Sequence, residues 1–346
     1  MTTKFDIYSM TKEELCAMAE ELGEKAFRGK QIFGWLYSGA DSFEDMTNLP
    51  KSFRQKLAER CLLYKPVIHC KQVSRDGTVK YAFRLADGEI IESVVMSYHH
   101  GYTICVSTQA GCNMGCRFCA TAVGGKARDL TAGEMLGQIM VAQQDLSCRI
   151  GNVVLMGMGE PLDNLEQVLR FMAIANHEEG FCIGYRHFTL STCGLCDKIK
   201  LLADKNLPIT LSVSVHSPFN EERSAMMPVN KKFPLEILAQ TLLDYQKQTG
   251  RRISLEYALI KDKNDSPAHA KALMELFSDL SYHVNVIPVN EAREGFHKGD
   301  KESLKRFLDC FTRAGIAATT RRELGADISA ACGQLKHQVK QKEIEK

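Results

Sequence analysis

No stretch of about 18 apolar residues occurs in this chain of 346, so nothing in it reads as a membrane-spanning helix. The opening run MTTKFDIYSMTKEEL lacks the apolar core of a secretory signal, and secretion is not expected. Strong charge of one sign is missing too. With 44 basic and 42 acidic residues the net charge is +2, so bulk electrostatics announce no polyanionic partner. Local basic pairs at Lys231-Lys232, Arg251-Arg252 and Arg321-Arg322 can touch phosphate or simply be solvated. No internal repeat or low-complexity linker is present. What remains is an ordinary globular composition, 45% hydrophobic and 25% charged, long enough for one large domain plus a small one. Thirteen cysteines, an odd number in a chain of this size, fit a reducing cytoplasm better than a secreted disulfide framework.

The most informative residues are Cys112, Cys116 and Cys119, in the run Cys-Asn-Met-Gly-Cys-Arg-Phe-Cys. No fourth cysteine follows at ligand spacing. Electron-transfer ferredoxins surround each cluster with four thiolates, and a structural zinc site wants four protein ligands. Three thiolates at C-x3-C-x2-C spacing suit a four-iron, four-sulfur cluster with one iron left open for a substrate or cofactor. Gly111, Gly115 and Ala120 flank the thiols with small residues, as a loop wrapped on a cluster needs. The blander readings are an exposed turn of reduced cysteines, or a zinc site completed by a distant residue.

Apolar spacing predicts helices in the first 64 residues, with Thr11 and Glu14 as a capping box. Strands follow at 67–73, 81–85, 90–95 and 103–107, separated by Asp76-Gly77 and Asp87-Gly88 turns. Past the cysteines, short apolar runs at 152–156, 187–191, 209–215, 253–259, 283–287 and 316–320 alternate with helical stretches at 131–146, 164–178, 234–248, 266–280 and 301–314. Repeated βα units imply a parallel sheet with its active residues at the carboxyl ends of the strands. The expected architecture is α/β, a partial (β/α)6 barrel. The expected divisions are a helical domain over 1–64, a β-rich extension over 65–100, the barrel over 101–335 and a charged tail over 336–346.

Several strand ends carry polar residues where a core would be apolar. Gly159 and Glu160, in Gly157-Met-Gly-Glu-Pro161, offer bare backbone and a carboxylate that can accept from an ammonium, or else mark a plain strand-ending turn. The third glycine of a dinucleotide fingerprint is missing there. Ser191, the run Ser214-Val215-His216 and Asn290 end other strands, although a lone Ser or His is more often structural. Cys332, after the last strand among small residues, is either an accessible thiol of the kind that serves as a nucleophile or, as is more usual, simply a free cysteine near a terminus. Cys105 leads into the cysteine loop. Glu92, in an apolar β run, either faces the pocket for proton transfer or lies on the solvent face of an edge strand. Cys193 and Cys196 form a C-x2-C pair that no second pair completes.

Taken together, the cysteine loop, Met156-Gly-Met-Gly-Glu-Pro161, Ser214-Val-His-Ser-Pro218, Glu221-Glu-Arg-Ser-Ala-Met-Met-Pro-Val-Asn230 and Ala331-Cys-Gly-Gln-Leu335 resemble the RlmN and Cfr family of radical S-adenosylmethionine adenosine methyltransferases acting on RNA. Phe27-Arg-Gly-Lys-Gln-Ile32 and Met46-Thr-Asn-Leu-Pro50 carry the resemblance into the amino-terminal region. The resemblance implies a 4Fe-4S cluster on the three cysteines and two S-adenosylmethionine molecules per turnover. One would methylate Cys332 by displacement. The second would be held on the open iron by Gly159, Glu160, Ser191, Ser214, Val215, His216 and Asn290, and its adenosyl radical would take hydrogen from methylated Cys332. The resulting carbon radical would add to adenine. Glu92 would then act in proton transfer, and Cys105 would form a disulfide with Cys332 to release the adduct.

Carbon 2 of adenine is not nucleophilic, so a polar methyl transfer has no productive attack there, whereas a carbon radical can add. The partners implied are 23S ribosomal RNA and transfer RNA, held in part by the helical domain, and an electron donor such as flavodoxin or ferredoxin. No membrane partner is expected, and the location is cytoplasmic. Pro161 favours the RlmN branch and carbon 2; the near rival is a Cfr-like carbon-8 enzyme. Cys193, where a smaller residue is usual, and the segment from Glu291 to His297 depart from the family pattern. A radical activase acting on a protein glycine would share the cysteine loop but would not need Cys105, Cys332 and Glu92 together. A zinc-bearing RNA-binding protein is the non-enzymatic alternative.

Overall fold

The computed structural model describes residues 4–288 and 297–328. Asn290, the segment 291–296, Cys332 and the expected tail therefore lie outside the described residues. The chain opens with β1 (Phe5–Asp6), followed by α1 (Lys12–Glu21), α2 (Phe27–Ser38), α3 (Lys51–Arg60) and β2 (Cys61–Leu62). Thr11 and Glu14 form the capping box that their spacing predicts. β1 and β2 pair in parallel and bring the two ends of this helical unit together.

The remaining described strands are β3 (Val67–Val73), β4 (Val79–Arg84), β5 (Ile90–Tyr98), β6 (Gly101–Cys105), β7 (Gln109–Gly111), β8 (Lys126–Asp129), β9 (Ile150–Leu155), β10 (Phe188–Thr192), β11 (Thr210–Ser214), β12 (Ile253–Leu259), β13 (Tyr282–Pro288) and β14 (Ala318–Thr320). Between them run α4 (Ala132–Leu146), α5 (Leu165–Asn176), α6 (Cys196–Ala203), α7 (Asn220–Met226), α8 (Leu235–Thr249), α9 (Pro267–Leu276) and α10 (Lys301–Arg313). Ten strands make one sheet in sequence order from β3 to β14, with β7 and β8 set apart as a separate hairpin.

From β6 onward every pairing in the large sheet is parallel, and a helix returns the chain after each strand up to β13. This is the partial (β/α)6 barrel expected from the alternation of runs, finished by the short strand β14. β3, β4 and β5 extend the same sheet as an antiparallel meander hydrogen-bonded to β6. The two ends of the sheet, β3 and β14, do not pair, so the barrel stays open.

Alternation along parallel strands sorts the side chains onto two faces. Leu155, Leu190 and Leu211 share the face covered by helices, through the registers Leu155↔Leu190 and Leu190↔Leu211. The opposite face, inside the barrel, carries Ser191, Ser212, Ser214, Ser254, Glu256 and Asn285 in neighbouring register. Barrel interiors are usually filled with branched apolar side chains. This polar lining leaves space in the lumen for a polar ligand.

The amino-terminal helices dock on α4 and α5. Asp6 Oδ2 accepts from Thr131 Oγ1 at 2.6 Å, Gly133 N donates to Ser9 Oγ at 2.7 Å, and Arg170 pairs with Glu14 at 2.5 Å. Asp6 is thus shared between its own turn and the amino end of α4.

Candidate active site

The cysteine loop is pinned at its base by the β7–β8 hairpin, which sequence reasoning missed because Gln-Ala-Gly and Lys-Ala-Arg-Asp carry no strand signature. Cys112 N donates to Gly125 O at 3.0 Å, Cys119 N to Cys116 O at 3.1 Å, and Arg117 N to Met226 O at 2.9 Å. These bonds fix both flanks of the loop and its far side. Gly111 has φ of +91°, and a Cβ there would overlap the Gly125 carbonyl, so this corner requires glycine.

Gln109 joins the loop to the next strand end. Its Nε2 donates to Asp129 Oδ1 at 2.7 Å and to Asp163 Oδ2 at 2.9 Å, while its Oε1 accepts from Glu160 N at 2.9 Å. Gly159, at φ +106°, presses so closely on Gln109 that a Cβ would come within 2.6 Å of the Gln109 Cβ. The Gly-Glu pair and the cysteine loop are therefore one interlocked unit.

Glu160 is 4% exposed, with Oε2 accepting from Cys193 N at 2.8 Å and Oε1 from Leu162 N at 3.1 Å. Burial raises its pKa and these amide donors oppose the rise. Cys193 meets this carboxylate through its backbone, and its side chain lines the same cavity. His216 adopts the left-handed conformation, φ +60°, and its Nδ1 accepts from Ala258 N at 2.9 Å. Burial, then the nearby Arg223 cation, hold this imidazole down to about 3, so it is neutral at physiological pH. Its ring meets Phe118 of the cysteine loop edge-on at 4.7 Å.

Three supporting residues escaped the sequence reading of roles. Arg223, fully buried, donates to Cys193 O, Ser214 O, Val215 O and Asn230 Oδ1 and so gathers two strand ends around one guanidinium. Its place in a polar motif was visible, but not its burial. Asn264 donates to His216 O and Ala258 O and accepts from Ile260 N, yet in sequence it sits in an unremarked Asp-Lys-Asn-Asp turn. Glu256, inside the barrel, accepts from Ser212 Oγ and from Asn285 Nδ2, and burial raises its pKa. A carboxylate in the apolar run Ile253–Leu259 was the signal for it.

A cavity of about 300 Å3 opens at the carboxyl ends of the strands, lined by Cys112, Cys116, Cys119, Gly159, Glu160, Ser191, Ser214 and His216, with Glu256 and Arg321 also on its wall. Val215 is buried beside it and does not line it. Cys105 is buried at the end of β6, where it sits opposite Val94. Glu92 is neither on a solvent face nor on the wall of this cavity: it is 4% exposed and lies 3.4 Å from the fully buried Lys80. The twelve described cysteines are free thiols, and the expected partner of Cys105, Cys332, lies outside the described residues.

The donor set fits an iron-sulfur cluster. Cys112, Cys116 and Cys119 line one cavity at the strand ends, the thiol donor set that such a cluster takes. Burial, with a smaller contribution from the neighbouring Cys119, pushes Cys112 up to about 11 and Cys116 up to about 12, so three thiolates here need a compensating cationic core.

An open βα barrel with a three-thiol loop after its first parallel strand defines the radical S-adenosylmethionine class. A family model of the Radical SAM superfamily matches residues 106–276, and one of the ribosomal RNA large subunit methyltransferase N-terminal domain matches residues 5–63. The chain is 50% identical to a probable dual-specificity RNA methyltransferase RlmN of Alkaliphilus oremlandii, over 96% of this chain and 98% of that protein. A protein of the same name from Clostridium acetobutylicum is 46% identical over 96% of each chain. The crystal structure of a radical SAM methyltransferase from Sphaerobacter thermophilus superposes with a TM-score of 0.90 at 40% identity, covering 95% of this chain and 98% of that one. The chain belongs to the RlmN family of radical S-adenosylmethionine methyltransferases.

Proposed function

We propose that this protein methylates carbon 2 of adenosine in 23S ribosomal RNA and in transfer RNA, through a methylated Cys332. The observation that carries the reading is the single cavity that brings together Cys112, Cys116 and Cys119 with Gly159, Glu160, Ser191, Ser214 and His216. When bound, the cluster and two S-adenosylmethionine molecules supply the methyl group and the reducing radical chemistry.

The chain's own residues do the holding. Cys112, Cys116 and Cys119 would hold the cluster through their three thiolates. Glu160 faces the cofactor ammonium, with its carboxylate already oriented by Cys193 N and Leu162 N. Ser191 and Ser214 present hydroxyls to the cofactor, and neutral His216 shapes the wall without adding positive charge. Asn290 completes the cofactor set. Cys332 carries the methyl group, Glu92 takes part in proton transfer, and Cys105 pairs with Cys332 to release the product. Lys80 Nζ lies 3.4 Å from the Glu92 carboxylate.

The test is anaerobic incubation of the reconstituted enzyme, reductant and S-adenosylmethionine with unmodified ribosomal and transfer RNA, followed by mass identification of the methylated nucleoside. The expected product is 2-methyladenosine, lost in Cys332→Ala while the visible cluster absorbance is retained. A product of 8-methyladenosine, or full turnover by Cys332→Ala, would overturn the reading.

A further inference from the structure

A second cavity, of about 280 Å3, lies at the opposite mouth of the barrel, where the amino ends of β11, β12 and β13 meet. It is lined by Thr210, Arg251, Arg252, Ser254 and His283, together with Gly250 and Ile253. No Asp or Glu lines it. Glu256 lies two residues farther along β12, with its carboxylate turned to Ser212 and Asn285. The cavity exists because the barrel lining here is small and hydroxylic: Thr210 and Ser254 stand where branched apolar residues would close an ordinary barrel floor.

The two guanidinium groups have donors to spare. Arg251 spends only its Nε, donating to Ile209 O at 3.3 Å, and neither arginine forms an ion pair among the described residues. Gly250 N caps Gln246 O, and Gln246 Nε2 donates to Arg251 O and to Ser281 O. His283 is held at its edge by Thr319, at 2.8 Å. Two guanidinium groups without an ion pair and the hydroxyls of Thr210 and Ser254 around one polar hollow are the donor set that recognises a phosphate, with arginine supplying the paired N–H geometry.

We infer that this basal cavity is a phosphate-binding site, filled in the working enzyme by a phosphodiester of the RNA substrate at the mouth of the barrel remote from the cluster. The assignment of the phosphate to RNA rests on the function proposed above; the phosphate chemistry does not. It gives the enzyme a grip on folded RNA that reads backbone and not sequence.

The first arm titrates inorganic phosphate against the reconstituted holoenzyme, with chloride at matched ionic strength as control, and follows the thermal midpoint. Saturable stabilisation is expected in the parent and at least tenfold weaker binding in Arg252→Ala, a substitution at an exposed side chain. No saturable phosphate effect in the parent, or an unchanged one in Arg252→Ala, would overturn the site. The second arm measures RNA affinity against salt. A slope of log K on log salt reduced by about one in Arg252→Ala assigns the phosphate to RNA. An unchanged slope with phosphate binding lost keeps the site but assigns it to a free phosphate or nucleotide. Neither arm measures methylation, so failure here and failure of the methyltransferase reading are separate results.

Discussion

Glu160 shows how a single side chain is prepared before its ligand arrives. Its carboxyl group is buried and held by two backbone amides, so under the proposed function a cofactor ammonium would meet oxygens that are already aimed. Glu160→Gln keeps the shape and removes the charge. A hydrogen bond to a charged group contributes about 1.5–3 kcal/mol, so calorimetry should find S-adenosylmethionine bound roughly ten- to hundredfold more weakly. An unchanged affinity would place the ammonium elsewhere. His216 makes a prediction about pH. The unfolded chain protonates this ring near the ordinary value of 6.5, whereas the folded chain refuses the proton down to about 3. The stability it contributes is complete above about pH 6.5 and drains away as pH falls from there toward 3, by an amount of order a few kcal/mol. Urea midpoints for His216→Gln, which keeps an acceptor for Ala258 N, should fall less steeply over that window. Parallel curves would contradict it.

Elements show where local sequence speaks and where it does not. The β7–β8 hairpin and the Gly159 contact form the frame of the cysteine loop, and Gly111 is its tightest corner. Gly111→Ala should therefore yield folded protein, with an unchanged far-ultraviolet spectrum, that retains well under half the parent's iron after reconstitution; full iron loading would show the corner to be dispensable. The long helices α4, α5, α8, α9 and α10 and the parallel strands were legible from apolar periodicity, with ends displaced by only a few residues. The helices α6 and α7 were not. Each is short, and α7 lies within a polar motif whose apolar residues do not repeat. Antiparallel addition of β3, β4 and β5 to the barrel's own sheet was equally invisible, because which edge a strand joins leaves no mark on the strand's own residues. Spacing exposed the three cysteines and the strand-end polar residues. Arg223 and Asn264 escaped because their work is to satisfy carbonyls distant in sequence.

Over the whole molecule, the polar lining of the barrel separates two cavities with different chemistry. Thiols and two buried carboxylates, Glu160 and Glu256, line the carboxyl-end cavity, and guanidinium groups line the amino-end one, which suits the first to the proposed cluster and cofactor and the second to the inferred phosphate. Helices α1 to α3 sit to one side, tied to α4 and α5 through Asp6, Ser9 and Glu14. With a net charge of +2, attraction to RNA depends on such local features and not on the overall field. The central claim is that the iron left open by Cys112, Cys116 and Cys119 and the wall built on Glu160 hold one and the same cofactor. Electron-nuclear double resonance on the reduced enzyme, with S-adenosylmethionine isotopically labelled at its amino nitrogen, tests this most directly. The account predicts a nitrogen coupling to the cluster that is weakened or lost in Glu160→Gln. A cluster that shows no coupling to the bound cofactor in the parent enzyme would contradict it.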